Sequence, residues 1–158
     1  MKKIRLLFYF YLIIIILFVV LKFDGSFYLI RDTMQNIKWS REEGAMNINY
    51  IPLKTIISQF QNAGEFWALK NLFANLSVFI PWGILFPLSY KHFKKFIPFA
   101  MATLCFLFLI ECIQFIFMIG FFDVDDILLN FIGACIGYFI VNILINTKFL
   151  KTYKESSP

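Results

Sequence analysis

The run FIPFAMATLCFLFLIECIQFIFMIGFF, residues 96–122, decides the fold, because its twenty-seven positions carry a single charged side chain, Glu111. A hydrocarbon layer about 30 Å thick takes roughly 20 apolar residues of helix to cross, and a small soluble core has no use for so long an uninterrupted run. Working outward, three further apolar runs appear at about 6–21, 72–90 and 127–147. The first is sixteen residues long, and it lengthens if Lys22 snorkels and Phe23 joins it. Composition agrees: 60% of the 158 residues are hydrophobic, 20% aromatic and 16% charged, well outside the range of soluble globular domains. The expected fold class is all-α, a polytopic transmembrane helical bundle of about four spans.

Basic residues set the expected orientation, since Lys and Arg in short loops are retained in the cytoplasm. Segments 1–5, 91–95 and 148–158 hold three each, whereas the loop at 120–126 holds none and has three aspartates. Both termini are therefore expected to be cytoplasmic. The long connection at 22–70, with six basic and five acidic residues, is expected outside, because connections of that length cross largely regardless of charge. The N-terminal run has the charge pattern of a secretory signal, but no small-x-small site follows it, so an uncleaved anchor is expected. The net charge of +5 is dispersed between apolar runs, a pattern that marks membrane orientation and gives no nucleic-acid face. Cys105, Cys112 and Cys135 all fall inside apolar runs and read as small hydrophobes, neither a disulfide frame nor a zinc cluster.

The expected organisation is a transmembrane anchor at 1–23, an extracytoplasmic segment at 24–70, a three-helix membrane core at 71–147 and a cytoplasmic tail at 148–158. Within the outer segment, Leu53, Ile56, Ile57 and Phe60 follow helical spacing, with Lys54, Thr55, Ser58, Gln59 and Gln61 on the remaining arc. That pattern predicts a short amphipathic helix on the outer surface, with Pro52 in its first turn and its apolar side at the headgroup boundary or against the bundle. Residues 25–49 show no clear period and receive no assignment.

In this topology the polar residues of the spans fall at one depth. Asn71 and Asn75 are four apart in the second span, and Glu111 and Gln114 three apart in the third, so each pair occupies one helix face. Asp123, Asp125 and Asp126 lead into the fourth span, where Asp126, Asn130, Gly133 and Gly137 follow steps of four, three and four, a narrow helical arc. These positions predict an outward-facing polar pocket. An ionised carboxylate at mid-membrane costs about 2.5 to 3.5 kcal/mol on insertion scales, so Glu111 must be protonated, hydrated or paired. It reads either as a functional acid or as interhelical glue. The aspartate group suits a hard cation, but it equally suits helix capping or partner hydrogen bonds; no bound metal and no cofactor are assigned. Pro81 cannot donate to the Ser77 carbonyl and is expected to kink or break the second span. Gly83, Gly133 and Gly137 are expected to allow close helix approach or dimerisation, and a homo-oligomer stays open.

Taken in order, these residues resemble the VanZ-like family. The resemblance rests on Asn49-Tyr50-Ile51-Pro52-Leu53, Asn71 and Asn75 leading to Phe79-Ile80-Pro81-Trp82-Gly83, Glu111-Cys112-Ile113-Gln114, and Asp123-Val124-Asp125-Asp126 followed by Asn130, Gly133 and Gly137. It covers roughly residues 47–139. It implies a multi-pass protein of the bacterial cytoplasmic membrane, connected with antibiotic resistance, specifically to the lipid-tailed glycopeptide teicoplanin, without ligase chemistry. Members of that family commonly have an arginine between the glycine and the Phe-Asp pair, where this chain reads Gly120-Phe121-Phe122-Asp123. The departure implies an altered ligand preference, or substitution by Lys54 or Lys70.

The leading functional expectation is an amphiphile-handling membrane protein of the cell envelope. Asn71, Asn75, Glu111, Gln114, Asp123, Asp126 and Asn130 would bind the polar part of a lipoglycopeptide or a lipid-linked wall precursor, with membrane lipids as surroundings. Pro52, Pro81, Gly83, Gly133 and Gly137 have structural roles. An acid- or metal-assisted enzyme acting on a membrane lipid is the alternative, weakened because His92 falls in a cytoplasmic loop and no Ser-His-acid or Cys-His set is apparent outside. A membrane assembly protein is the third reading.

Overall fold

A computed structural model describes residues 2–21, 27–62, 64 and 66–146; the side chains of residues 66–71 and 146 lie outside that description. Lys22, Phe23, the tail at 148–158 and the side chains of Lys70 and Asn71 are thus outside the described residues. Among the described residues seven α-helices follow one another: α1 (Lys2–Ile15), α2 (Phe27–Glu42), α3 (Lys54–Gln61), α4 (Phe66–Val78), α5 (Ile80–Ser89), α6 (Phe96–Ile116) and α7 (Val124–Asn146). Two short parallel strands, β1 (Ile48–Asn49) and β2 (Phe122–Asp123), pair Ile48 with Phe122 and Asn49 with Asp123.

Among the described residues, four helical stretches are long and apolar enough to cross a membrane: Lys2–Val20, Leu72–Ser89, Phe96–Ile116 and Val124–Ile145. Their outward faces are bare and hydrophobic, as at Phe10 and Ile13 of α1, Met101 and Phe108 of α6, and Ile143 of α7, which is the surface that lipid demands. The third span is shorter than hydropathy suggests. It ends at Ile116, because Met118 takes a left-handed conformation (φ 55°) and turns the chain into β2; the fourth accordingly begins at Val124. Residues 27–42, to which no period was assigned, form α2. There Ile37 is buried while Ile30, Thr33 and Arg41 are half-buried, so the inner stripe mixes apolar and polar side chains, and its period is weak.

The second span is broken as Pro81 requires. α4 stops at Val78, Phe79 sits at φ −95° and ψ −2°, and α5 restarts with Pro81 in its first turn, where a missing N–H costs little. Glycines let both halves approach α7. A Cβ at Gly83 would overlap the Ala134 carbonyl, one at Gly133 the Leu76 carbonyl, and one at Gly137 the Ile80 carbonyl. All three close approaches lie within the chain.

Away from the strands, the interior is aromatic. Trp82 stacks on Phe106 at 4.4 Å with the rings 4° apart, and Phe86 stacks on Phe93 at 4.2 Å and on Phe8 at 5.6 Å. Three buried polar side chains there have partners: Trp82 Nε1 donates to Thr103 Oγ1 (3.0 Å), Tyr138 Oη to the Lys94 carbonyl (2.6 Å), and Tyr11 Oη to the Val78 carbonyl. Arg5 Nε reaches the Ser89 carbonyl (3.2 Å). The basic groups of segments 1–5 and 91–95 therefore gather at one end of the bundle, and the aspartates around the start of α7 lie at the other.

Candidate functional site

Three nearby aspartates at the start of α7 take three different tasks. Asp125 is fully buried and caps α3 from across the fold: Oδ1 accepts from Leu53 N (2.6 Å), and Oδ2 from Thr55 N (2.7 Å) and Ile56 N (3.1 Å). A helix start leaves such donors without intrahelical partners, and a carboxylate is well matched to them. Leu53 is held left-handed (φ 67°) to reach it. Pro52 consequently stands in the turn ahead of α3, outside the first helical turn in which it was expected.

Asp123 joins the strands to the helices. Its backbone N–H donates to Glu111 Oε2 (2.9 Å), which gives the buried acid in α6 a fixed partner. Its carboxylate accepts from Asn49 Nδ2 (3.0 Å), Thr55 Oγ1 (2.6 Å) and Asp125 N (2.9 Å). The β1–β2 pairing places Asn49 directly opposite, and Asn49 Nδ2 also donates to Thr55 Oγ1 (2.8 Å). Asp126 accepts from Asn75 Nδ2 (2.5 Å), tying α7 to α4.

Gln114 lies one turn beyond Glu111 on the same buried face of α6. Its Nε2 donates to the Val19 carbonyl (2.7 Å). That carbonyl is free to accept because the end of the first span widens into a π-helical turn, Ile16–Val20, and the last carbonyls of a helix have no partner within it.

These side chains surround a cavity of about 830 Å³, lined among others by Asn75, Glu111, Gln114, Asp123, Asp126 and Asn130. Every predicted ligand-binding residue except Asn71 therefore converges on one space; Asn71 belongs to α4, with its side chain outside the described residues. The volume lies within the range typical of small-molecule sites. Among the described residues, no group of three or more His, Cys, Asp and Glu is placed to hold a metal ion. The three cysteines are free thiols, and His92 is exposed at the far end against Phe93.

Several contributors fall outside the ligand-binding set expected from the sequence. The polar arc of α3 faces the cavity through Lys54, Thr55, Ser58 and Gln59, while Ile57 and Phe60 are 51% and 60% exposed. The amphipathic spacing revealed that arc but not the direction it would face. Arg41 donates to Asn47 Oδ1 through Nε (2.8 Å) and Nη2 (2.6 Å) and to the Phe115 carbonyl (2.7 Å), and Asn47 Nδ2 donates to the Gly120 carbonyl (2.6 Å). This clamp fixes the chain ahead of β1 onto the end of α6 and the turn after it; its two bonds to that region join residues more than 70 apart in sequence, and no local pattern announces them.

Comparison with known proteins follows the same path. The VanZ/LLP1 family model matches residues 8–145. Over 89 residues the chain is 32% identical to Protein VanZ of Enterococcus faecium, an alignment covering 56% of this chain and 53% of that one. The matched region thus spans about half the length of that relative. No solved structure matches.

Proposed function

The chain belongs to the VanZ/LLP1 family, and from that premise we propose that it binds the polar part of an amphiphile in its cavity, at the outer face of the bacterial cytoplasmic membrane. The reading extends to lowered susceptibility to teicoplanin, through capture of the lipid-tailed glycopeptide or of a lipid-linked wall precursor. One observation carries it: six polar side chains from α4, α6 and α7 and the segment before α7 meet around one cavity in an otherwise apolar bundle. An acyl tail has a route beside it, since Phe18 and Val78 line the cavity and the outer side of α3 is bare and apolar. Binding, with no bond made or broken, is the action that this lining supports.

The orientation belongs to the same proposal: basic groups at one end of the bundle face the cytoplasm, and the aspartate end faces out. With the native cysteines replaced by alanine, Ser58→Cys is expected to react in intact cells with a membrane-impermeant maleimide, and His92→Cys only after permeabilisation. The reverse pattern would place the cavity inside. The function is tested by teicoplanin and vancomycin susceptibility of a sensitive Gram-positive host expressing the wild type, Glu111→Gln or Asp126→Ala at equal membrane levels. A selective rise in teicoplanin tolerance, lost in both variants, is expected; no shift with inserted wild-type protein would remove the resistance role.

A further inference from the structure

Four buried side-chain atoms of the cavity lining lack a hydrogen-bond partner among the described residues, and all four are oxygens. Gln114 is 1% exposed, and its Nε2 is held by the Val19 carbonyl. Its amide orientation is thereby fixed, and Oε1 meets no donor among the described residues. Asn49 is fixed in the same way: its Nδ2 donates to Asp123 Oδ1 and to Thr55 Oγ1, whose own proton goes to Asp123 Oδ2. Asn49 Oδ1 is again buried without a donor among the described residues. The side-chain oxygens of Asn130 and Gln59, both buried residues of the same lining, share that condition. Glu111, Asp123 and Asp126 add three carboxyl groups, against a single lysine, the exposed Lys54.

Burial without a partner penalises each of these oxygens. A ligand that relieves the penalty must bring N–H or O–H donors, and an anionic group entering the interior would meet carbonyl and carboxylate oxygens instead. A primary ammonium has three N–H donors and a positive charge, whereas a quaternary ammonium has the charge and no donor. Lys54 is placed to meet the phosphate that adjoins such an ammonium in a lipid head group. The apolar members of the lining and the bare face of α3 supply the surface that acyl chains need and a free amine does not.

We propose that the cavity is a site for a membrane lipid whose head group carries a primary ammonium, the nitrogen held by the Gln114, Asn49 and Asn130 oxygens and the carboxyl groups, and the phosphate by Lys54. The proposal rests on the amphiphile reading above and narrows its ligand class.

The test is native mass spectrometry of the full-length protein with phosphatidylethanolamine, phosphatidylcholine and phosphatidylglycerol, and with water-soluble phosphoethanolamine as a fourth arm. Phosphatidylethanolamine is expected to bind about tenfold tighter than either other lipid, the difference made by one set of charge-assisted hydrogen bonds. Asn130→Leu is expected to abolish that preference while keeping the wild-type melting profile, and Gln114→Leu to abolish it at a lower melting temperature, because the Val19 carbonyl loses its donor. Equal binding of the choline lipid would overturn the ammonium assignment, and tighter binding of the glycerol lipid would do the same in favour of an anion at Lys54. Phosphoethanolamine binding as tightly as its lipid would overturn the lipid source. If teicoplanin binds while the lipids are not distinguished, the amphiphile reading stands and this inference falls.

Discussion

At the end of the bundle that holds Arg5 and Lys94, buried polar atoms find partners within the protein: the Trp82 indole donates to Thr103 and the Tyr138 hydroxyl to the Lys94 carbonyl. At the cavity end, the oxygens of Gln114, Asn130, Asn49 and Gln59 are equally buried and find none among the described residues. Ser89 Oγ is the exception at the first end. The difference separates two uses of the interior. Stacked rings, glycine contacts and matched hydrogen bonds hold the helices together, whereas the cavity carries unmatched oxygens that lower stability and that, in the site proposed above, the donors of a ligand would satisfy.

The largest effect is expected from breaking the aromatic end. Trp82→Ala removes the stack on Phe106 and the bond to Thr103 and is expected to destabilise the protein by about 3–5 kcal/mol, read as a lower melting temperature in detergent. Next comes Gly137→Ala, which drives a methyl group into the Ile80 carbonyl and is expected to cost about 1–3 kcal/mol through strain between α5 and α7. Asp125→Ala strips three backbone N–H groups of their acceptor. It is expected to cost about 1–2 kcal/mol, concentrated in α3, where hydrogen exchange should accelerate at residues 53–56 while the aromatic end stays protected. Uniform acceleration across both ends would show that the two regions do not separate.

How much of this was legible follows from the range of each signal. The spans were readable because a bilayer demands long apolar runs, and the face shared by Glu111 and Gln114 followed from helical spacing. Gly133 and Gly137 were readable as contact points, since they lie on the arc that carries Asp126 and Asn130. The turn at Met118 was not, because Phe117, Ile119 and Phe121 continue the apolar pattern and the β1–β2 pairing that bends the chain comes from a segment far away in sequence. Asp125 likewise looked like one member of an acidic group suited to its own helix, yet the amides it accepts belong to α3, about seventy residues earlier. α2 escaped notice because a stripe of Ile30, Thr33, Ile37 and Arg41 is too mixed to stand out from its neighbours.

The most direct test of the contrast between the two ends is a paired measurement on Asn130→Leu: the melting temperature of the purified protein and the teicoplanin tolerance of cells expressing it at wild-type levels. Replacing a buried polar group whose oxygen has no donor by an apolar one of similar size is nearly neutral or stabilising. The variant is therefore predicted to melt at or above the wild-type temperature, within about 0.5 kcal/mol or better, and to lose the tolerance. A clear fall in melting temperature, or full tolerance in the stable variant, would contradict the account, because Asn130 would then serve the fold or serve nothing in the cavity.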